Sequence, residues 1–393
     1  MLTEQNLAAL QQAIADADLD GWLLFDFHAT NPVAGGMLQL QGMVTRRVFA
    51  WIPRAGVPVA ITHAIEQGPW ARWPAAWRRE VYASWPSLNE HLTALVKGKR
   101  VAMEYSPRDD VPYLDRIPAG VLELVRAAGA EVVTSAPLVS RFYAAWNADH
   151  IASHERAAAH LARIAREGMT LAGKRARTAR PMTEYELVQW ILQQFSAAGL
   201  ETDHNPDAAV GANAANPHYV PSPTDSSPIR EGDLLLVDLW AREANGGVWA
   251  DQTWMASLGE PSARARKVWE AVRDARDAAL ALIKERRAAG QRLLGGEVDD
   301  AARRVITERG FGPYFTHRTG HSMDPRDLHG SGPHIDNLES RDGRELVDGV
   351  AFSIEPGVYL PGELGVRSEV NVYLPPGGAV VTPPEIQRDI WIV

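Results

Sequence analysis

The sequence contains no cysteine in 393 residues. That excludes disulfides, thiol nucleophiles, Fe–S clusters and thiolate zinc sites. It also lacks a positive excess: 40 Lys and Arg stand against 49 Asp and Glu, a net charge of −9 with a pI near 5.8. A general nucleic-acid binder needs a basic footprint, so no nucleic-acid partner is expected. No run approaches the roughly 18 apolar residues of a membrane-spanning helix, so no membrane partner is expected. Residues Met1–Leu10 carry Glu4 and no apolar stretch, unlike a signal peptide. A cytoplasmic location is the default expectation. What is present is ordinary for a folded soluble chain, 46% hydrophobic and 23% charged, and the length suits two or three domains at roughly 150 residues each.

Hydrophobic patterning divides the chain near residue 146, into 1–146 and 147–393. The first part alternates elements as an α/β domain does. Thr3 caps a helix with Leu7, Leu10 and Ile14 on one face. Strand-like runs follow at 22–25, 48–52, 57–62 and 100–105, then a helix over 111–128 and a strand at 131–134. Its histidines, His28, His63 and His91, are isolated. A linker is expected at 144–149. Beyond it, helices are expected from Asp149, from the capping box at Thr183–Glu186, over 262–289 and over 298–309. Strands are expected at 234–237, 248–258, 350–354, 366–374, 379–382 and 389–393. The fold class read from this order is α/β, in the α+β sense.

Chemistry concentrates in the second part. Asp238 ends the apolar run Leu234-Leu235-Leu236-Val237. A carboxylate there must be paired, protonated or bound to a cation, because a bare buried charge is costly. Asp251 follows across the turn signal Asn245-Gly246-Gly247. If Asn245-Gly246 closes a two-residue hairpin, Asp238 faces Thr253, and Asp251 points to the same side as Asp238. The alternative is two unrelated acids, one of them capping a turn. Four of the 12 histidines, His317, His321, His329 and His334, fall within 18 residues. That density suggests imidazole ligands, although a polar surface loop would also show it. Glu355 ends the apolar run Phe352-Ser353-Ile354, and Arg367, Glu369 and Asn371 share one face of a period-two stretch. An exposed strand would show the same alternation. Taken together, Asp238, Asp251, His321, Glu355 and Glu369 offer oxygen and imidazole ligands, which suit Mn²⁺, Co²⁺, Zn²⁺ or Fe²⁺. Four carboxylates and one histidine are enough for two ions about 3.5–4 Å apart.

These residues resemble the M24 metallopeptidases, with the pita-bread fold. The resemblance runs from about Asp149 to Val393. It is carried by Glu297-Val298-Asp299, His317-Arg318-Thr319-Gly320-His321, Phe352 to Tyr359 and Gly365 to Glu369. Residues 1–146 look, more loosely, like the creatinase/prolidase N-terminal domain. Within the family, a two-domain chain of this size is most similar to the prolidase (Xaa-Pro dipeptidase) branch. The resemblance implies two divalent ions, Mn first, with Co or Zn possible, held by Asp238, Asp251, His321, Glu355 and Glu369. Asp251 and Glu369 would bridge, and Glu355 would also be the general base. It implies His218, His317 and His329 as catalytic histidines, with His218, His329 and Arg367 binding substrate. His334 is the alternative to His329. It further implies an Xaa-Pro dipeptide substrate and a homodimer.

Four departures surround the ligands. The Asp238–Asp251 spacing is two residues longer than the family norm. Trp240 stands where the family has glycine, and Trp254 where it has arginine. The loop Ser322–Leu328 is not the usual glycine-rich one and shifts His329 by one. The departures keep other readings open: a non-peptidase hydrolase or lyase of the ectoine-hydrolase or sulfoniopropionate-lyase type, an aminopeptidase P acting on longer peptides, or a binding module without catalysis.

Overall fold

A computed structural model describes residues 2–393, and the chain forms two compact units that divide between Tyr143 and Ala144. The first unit runs α1 (Glu4–Asp16), β1 (Gly21–Asp26), α2 (Pro32–Leu38), β2 (Val48–Pro53), β3 (Val59–His63), β4 (Arg78–Tyr82), α3 (Trp85–Val96), β5 (Arg100–Met103), α4 (Ala119–Ala127), β6 (Glu131–Thr134) and α5 (Ala136–Phe142). Its six strands form one mixed sheet in the order β4-β3-β2-β1-β5-β6. β1 is buried along its whole length, so apolar side chains cover both faces of the sheet. Thr3 caps α1, its side chain accepting from the Asn6 N–H.

The expected helix over 111–128 is cut in two. Pro112 opens a single 3₁₀ turn and Pro118 sits at the N-cap of α4. A proline ring cannot supply the N–H that a continuous helix needs. Periodicity alone assigned no element to 78–96, where the structure has β4 and α3. The expected linker is also structured. Trp146 is buried, its indole N–H donates to the Met323 carbonyl at 3.0 Å, and Asn147 caps the next helix.

The second unit contains α6 (Ala148–Ala176), α7 (Glu184–Ala197), β7 (Leu200–Glu201), β8 (Asp207–Val210), β9 (Leu234–Glu243), β10 (Ala250–Ser257), α8 (Ala263–Ala288) and α9 (Gly295–Glu308). Short strands follow: β11 (Ser322–Met323), β12 (Ala351–Ile354), β13 (Gly357–Leu360), β14 (Leu364–Arg367), β15 (Val370–Tyr373), β16 (Val380–Thr382) and β17 (Trp391–Ile392). β9 is central, pairing with β10, β8 and β7. A second sheet runs β11-β12-β15-β16, and β13 and β14 form a separate hairpin.

Two apolar clusters flank β9 and β10. One joins Leu234, Leu236 and Met255 to α8 and α9; the other joins Leu235, Val237 and Trp254 to α6 and α7. Alternate residues of one strand therefore enter opposite cores, as period two requires. The single strand expected over 366–374 is broken at Ser368-Glu369. Arg367 ends β14 in one sheet and Val370 begins β15 in another. Among the described residues, no helix is long and apolar enough to cross a membrane.

Candidate metal centre

The hairpin β9–β10 sets the site. Asn245 and Gly246 both have positive φ, 70° and 94°, the combination that Asn-Gly supplies at low cost in a tight turn. Thr253 lies opposite Asp238 and Trp240 opposite Asp251. This is the register that the parity argument expects. β8 adds Asp207 on the other side of Asp238. Asp207, Asp238 and Thr253 thus form a polar row across three strands.

Asp251, His321 and Glu369 are buried, and each offers a ligand atom within 4.8 Å of the others. The His321 Nε2 lies 3.4 Å from Asp251 Oδ2 and 3.6 Å from Glu355 Oε1. Its Nδ1 lies 3.2 Å from the Ser322 carbonyl. Burial lowers His321, but Asp251 and Glu355 outweigh it and raise it, so without an ion Nε2 carries a proton toward them; an ion would take that proton's place on Nε2 and leave the Nδ1 proton on the Ser322 carbonyl. Gly320 permits this placement, because a Cβ there would stand 1.9 Å from the Ser353 carbonyl oxygen. The His321 N–H donates to Ser353 Oγ, and Ser353 Oγ donates to Glu355 at 3.0 Å.

Asp238 is half-buried and engaged rather than clustered. Thr253 Oγ1 lies 3.0 Å from Asp238 and 2.9 Å from Glu369. Arg367, buried, donates to Asp238, to Thr253 Oγ1 and to the Tyr359 hydroxyl. Tyr359 in turn meets His317 Nε2 at 2.8 Å. His329 is exposed, but its ring centroid lies 4.2 Å from that of His321. The His334 Nδ1 accepts from the Ser322 N–H instead. His218 is exposed on the loop after β8, and its backbone N–H donates to the Asn216 side chain. Arg367, Glu369 and Asn371 converge, but not as one face of a strand: the chain crosses between sheets at Ser368, and Asn371 Oδ1 accepts from the Asp251 N–H.

The electrostatics follow from crowding acids out of water. Burial, with Asp238 and Glu355 adding repulsion, pushes Asp251 up to about 7 despite the hydrogen bond from His321. Burial and the same neighbours drive Glu369 well above the carboxylate range. Burial also acts on Glu355, but His321, His317 and Arg367 outweigh it and hold it below its ordinary value. His321 and burial push His329 down to about 3, so it is a neutral imidazole. Two oxygens of the cluster, Asp251 Oδ1 and Glu369 Oε1, are buried without any hydrogen-bond partner. Such oxygens are costly unless a cation or proton meets them, so the donor set fits a divalent ion.

Several contributors were not singled out from sequence. Asp299, an acid on the buried face of α9, accepts from both the backbone N–H and the hydroxyl of Thr319, and from Arg303. It thereby fixes the approach to His321. Its signal was a charge inside an apolar helical stripe. Thr253 and Tyr359 lay inside quoted motifs, but only the fold shows what they touch. Of the two tryptophan departures, Trp240 stands opposite Asp251 and donates to Asp203. Trp254 faces the opposite core, stacked on Trp391 at 4.7 Å.

The sequence model of metallopeptidase family M24 matches residues 154–375, more than half of the chain. The chain belongs to metallopeptidase family M24. The match includes Asp238, Asp251, His321, Glu355 and Glu369. The Xaa-Pro dipeptidase of Lactobacillus delbrueckii subsp. lactis is 35% identical over 192 residues, 48% of this chain and 47% of that one. The matched part thus spans about half the length of that curated relative. The probable dipeptidase PepE of Mycobacterium tuberculosis strain H37Rv is 28% identical over 385 residues, 96% of this chain and 93% of that one. The solved dipeptidase PepE from Mycobacterium ulcerans superposes with a TM-score of 0.74 at 23% identity, covering 99% and 97% of the chains. The prolidase from Thermococcus sibiricus gives 0.67 at 22%, covering both chains fully. At these identities the superpositions establish the fold, the α/β pita-bread architecture of an M24 metallopeptidase.

Proposed function

We propose that this chain hydrolyses the imide bond of Xaa-Pro dipeptides, with Asp238, Asp251, His321, Glu355 and Glu369 holding two divalent ions, Mn²⁺ in preference to Co²⁺ or Zn²⁺. The observation that carries the reading is the pair of orphaned buried oxygens on Asp251 and Glu369 beside the Nε2 of His321. Bound there, the ions supply an acidified water and a Lewis acid for the scissile carbonyl. The chain's own groups do the rest. Glu355, 3.6 Å from the His321 Nε2, accepts the proton of the attacking water. His329, neutral and exposed beside His321, donates to the oxygen that gains charge. His218 meets the substrate from the loop after β8. Arg367 orients Asp238 and faces the substrate from the same side. His317 acts on that arginine through Tyr359.

In this reading, 147–393 is the catalytic domain, 1–146 the creatinase/prolidase-like N-terminal domain, and the enzyme a cytoplasmic homodimer. An imide bond to proline has no N–H to recognise, so selectivity rests on pocket shape and on the ends of the dipeptide. The test is a panel of Xaa-Pro dipeptides and tripeptides against enzyme stripped with EDTA and reloaded with Mn²⁺, Co²⁺ or Zn²⁺. Dipeptide hydrolysis that requires metal supports the proposal. Full activity after stripping, or cleavage of no Xaa-Pro bond by loaded enzyme, sinks it. Cleavage of tripeptides in preference to dipeptides would favour the aminopeptidase P reading.

A further inference from the structure

Asp207 has no part in the ligand set just described, yet it keeps a buried oxygen without a donor, as Asp251 and Glu369 do. It opens β8 directly opposite Asp238. On an antiparallel pair such side chains stand about 5 Å apart on one face. Asp207 is 92% buried (8% exposed), and its Oδ1 has no hydrogen-bond partner. It is a buried acid with an oxygen that no donor meets. Buried acids elsewhere in this unit are matched: Asp299 takes donors from Thr319, Arg303 and Asn337, and Glu184 from Val210, Asn213, Tyr219 and Ser227.

Asp207 lines a small cavity with Arg367, Ala214, Asn216, Pro217 and Tyr219. The wall from Ala214 to Tyr219 is the loop that carries His218, so the cavity adjoins the proposed substrate site. The charge of Arg367 is already matched by Asp238, which leaves Asp207 as the unmatched group. The cavity has room for one water-sized body, ≈10 Å³, about one water position. A long basic side chain does not fit there. A compact ammonium head does, and it brings the missing charge.

We propose that Asp207 is a specificity-determining residue that takes the free amino-terminal ammonium of the substrate and so restricts the site to peptides with an unblocked amino end. The inference rests on the dipeptidase reading for its substrate but not for its test. Asp207→Asn keeps the shape and removes the charge. Asp207→Ser is the second variant, should the first not fold.

The experiment compares Ala-Pro with N-acetyl-Ala-Pro as substrates. In parallel, the reduced-bond analogue of Ala-Pro and its N-acetyl form are titrated calorimetrically into wild type and variants, all metal-loaded. Wild type is expected to prefer the free amine in both assays. The variants are expected to lose at least tenfold of that preference, through KM and Kd rather than kcat, with N-acetyl ligands little affected. An equal effect on free and acetylated ligands, no effect on either, or no amine preference in wild type overturns the inference. If neither peptide is cleaved but the analogue binds with an amine preference that the variants lose, the inference stands and the dipeptidase reading falls. If Ala-Pro is cleaved and the preference survives in the variants, the reading stands and the inference falls.

Discussion

Both units of this protein bury carboxylates, and they treat them in opposite ways. In the first unit Glu104 is fully buried, but Trp22 donates to Oε1 at 2.6 Å, Ser135 to Oε1 at 3.1 Å and Asn31 to Oε2 at 2.8 Å. In the second, Asp251, Glu369 and Asp207 each keep a buried oxygen with no donor at all. A satisfied acid holds a core together; an unsatisfied one is waiting for a ligand. The neighbours make the same point. Glu104 has no second acid among the groups that shift it, whereas Asp238 and Glu355 add to the rise of Asp251, and Asp251, Glu355 and Asp238 to that of Glu369.

The largest expected break of this contrast is His321→Ala. It removes the imidazole between Asp251 and Glu355, so metal per chain by elemental analysis falls with Xaa-Pro hydrolysis. The loss should exceed the roughly 100-fold upper range seen for outer partners of metal ligands. Unchanged metal content would show that the orphaned oxygens do not mark a cation site.

Next comes Glu104→Gln. Burial raises Glu104 from 4.5 to about 7 in the folded chain, against its three donors. Between those values the folded state keeps a proton that the unfolded chain has lost. Stability therefore falls as pH rises through that window, and the loss is complete above 7. The variant removes that dependence, a difference of at most about 3 kcal/mol. Urea unfolding of wild type and variant at pH 5 and pH 8 measures it; parallel pH profiles would show that the three donors cancel the effect of burial.

Thr253→Val removes the hydroxyl placed between Asp238, Glu369 and Arg367. Metal affinity or kcat should drop about 10–100-fold, with little change in the unfolding midpoint. A large stability loss with unaltered metal binding would assign Thr253 to packing instead. The smallest effect belongs to Trp254→Phe. It costs one hydrogen bond to Gln252 and part of the stack on Trp391, about 1 kcal/mol. Turnover should not change, because the ring faces the core away from the site. A change in KM would contradict that placement, whereas Trp240→Phe, opposite Asp251, is the control expected to alter turnover.

Local chemistry dictated what was legible in the sequence. The parity of β9 and β10 follows from the Asn245-Gly246 turn, which puts Asp238 opposite Thr253. The caps at Thr3 and Thr183, the apolar stripes of α6 and α8, and the acids ending apolar runs were legible for the same reason: period and turn chemistry are properties of neighbouring residues. Reading failed where distant residues compete. Pro118 and Pro112 split a helix that apolar spacing alone favoured. The stretch 366–373 alternates like one strand, yet it breaks at Ser368. Arg276 of α8, donating to Ser368 Oγ at 2.7 Å and to the Gln387 carbonyl, holds that break from across the unit.

The sequence by itself determined the types of the strongly patterned elements, the hairpin register and the kinds of ligand atom, since the absence of cysteine leaves only oxygen and imidazole. It also determined the family resemblance. Only the tertiary structure decided which polar groups are satisfied. Arg367 is committed to Asp238, Thr253 and Tyr359, His329 rather than His334 stands beside His321, Trp254 faces away, and Asp207 lies unpartnered next to Asp238. The reason is physical. Hydrogen-bond partners come from distant segments, 129 residues apart for Arg367 and Asp238 and 177 for Trp146 and Met323, and no local pattern records which of them meet.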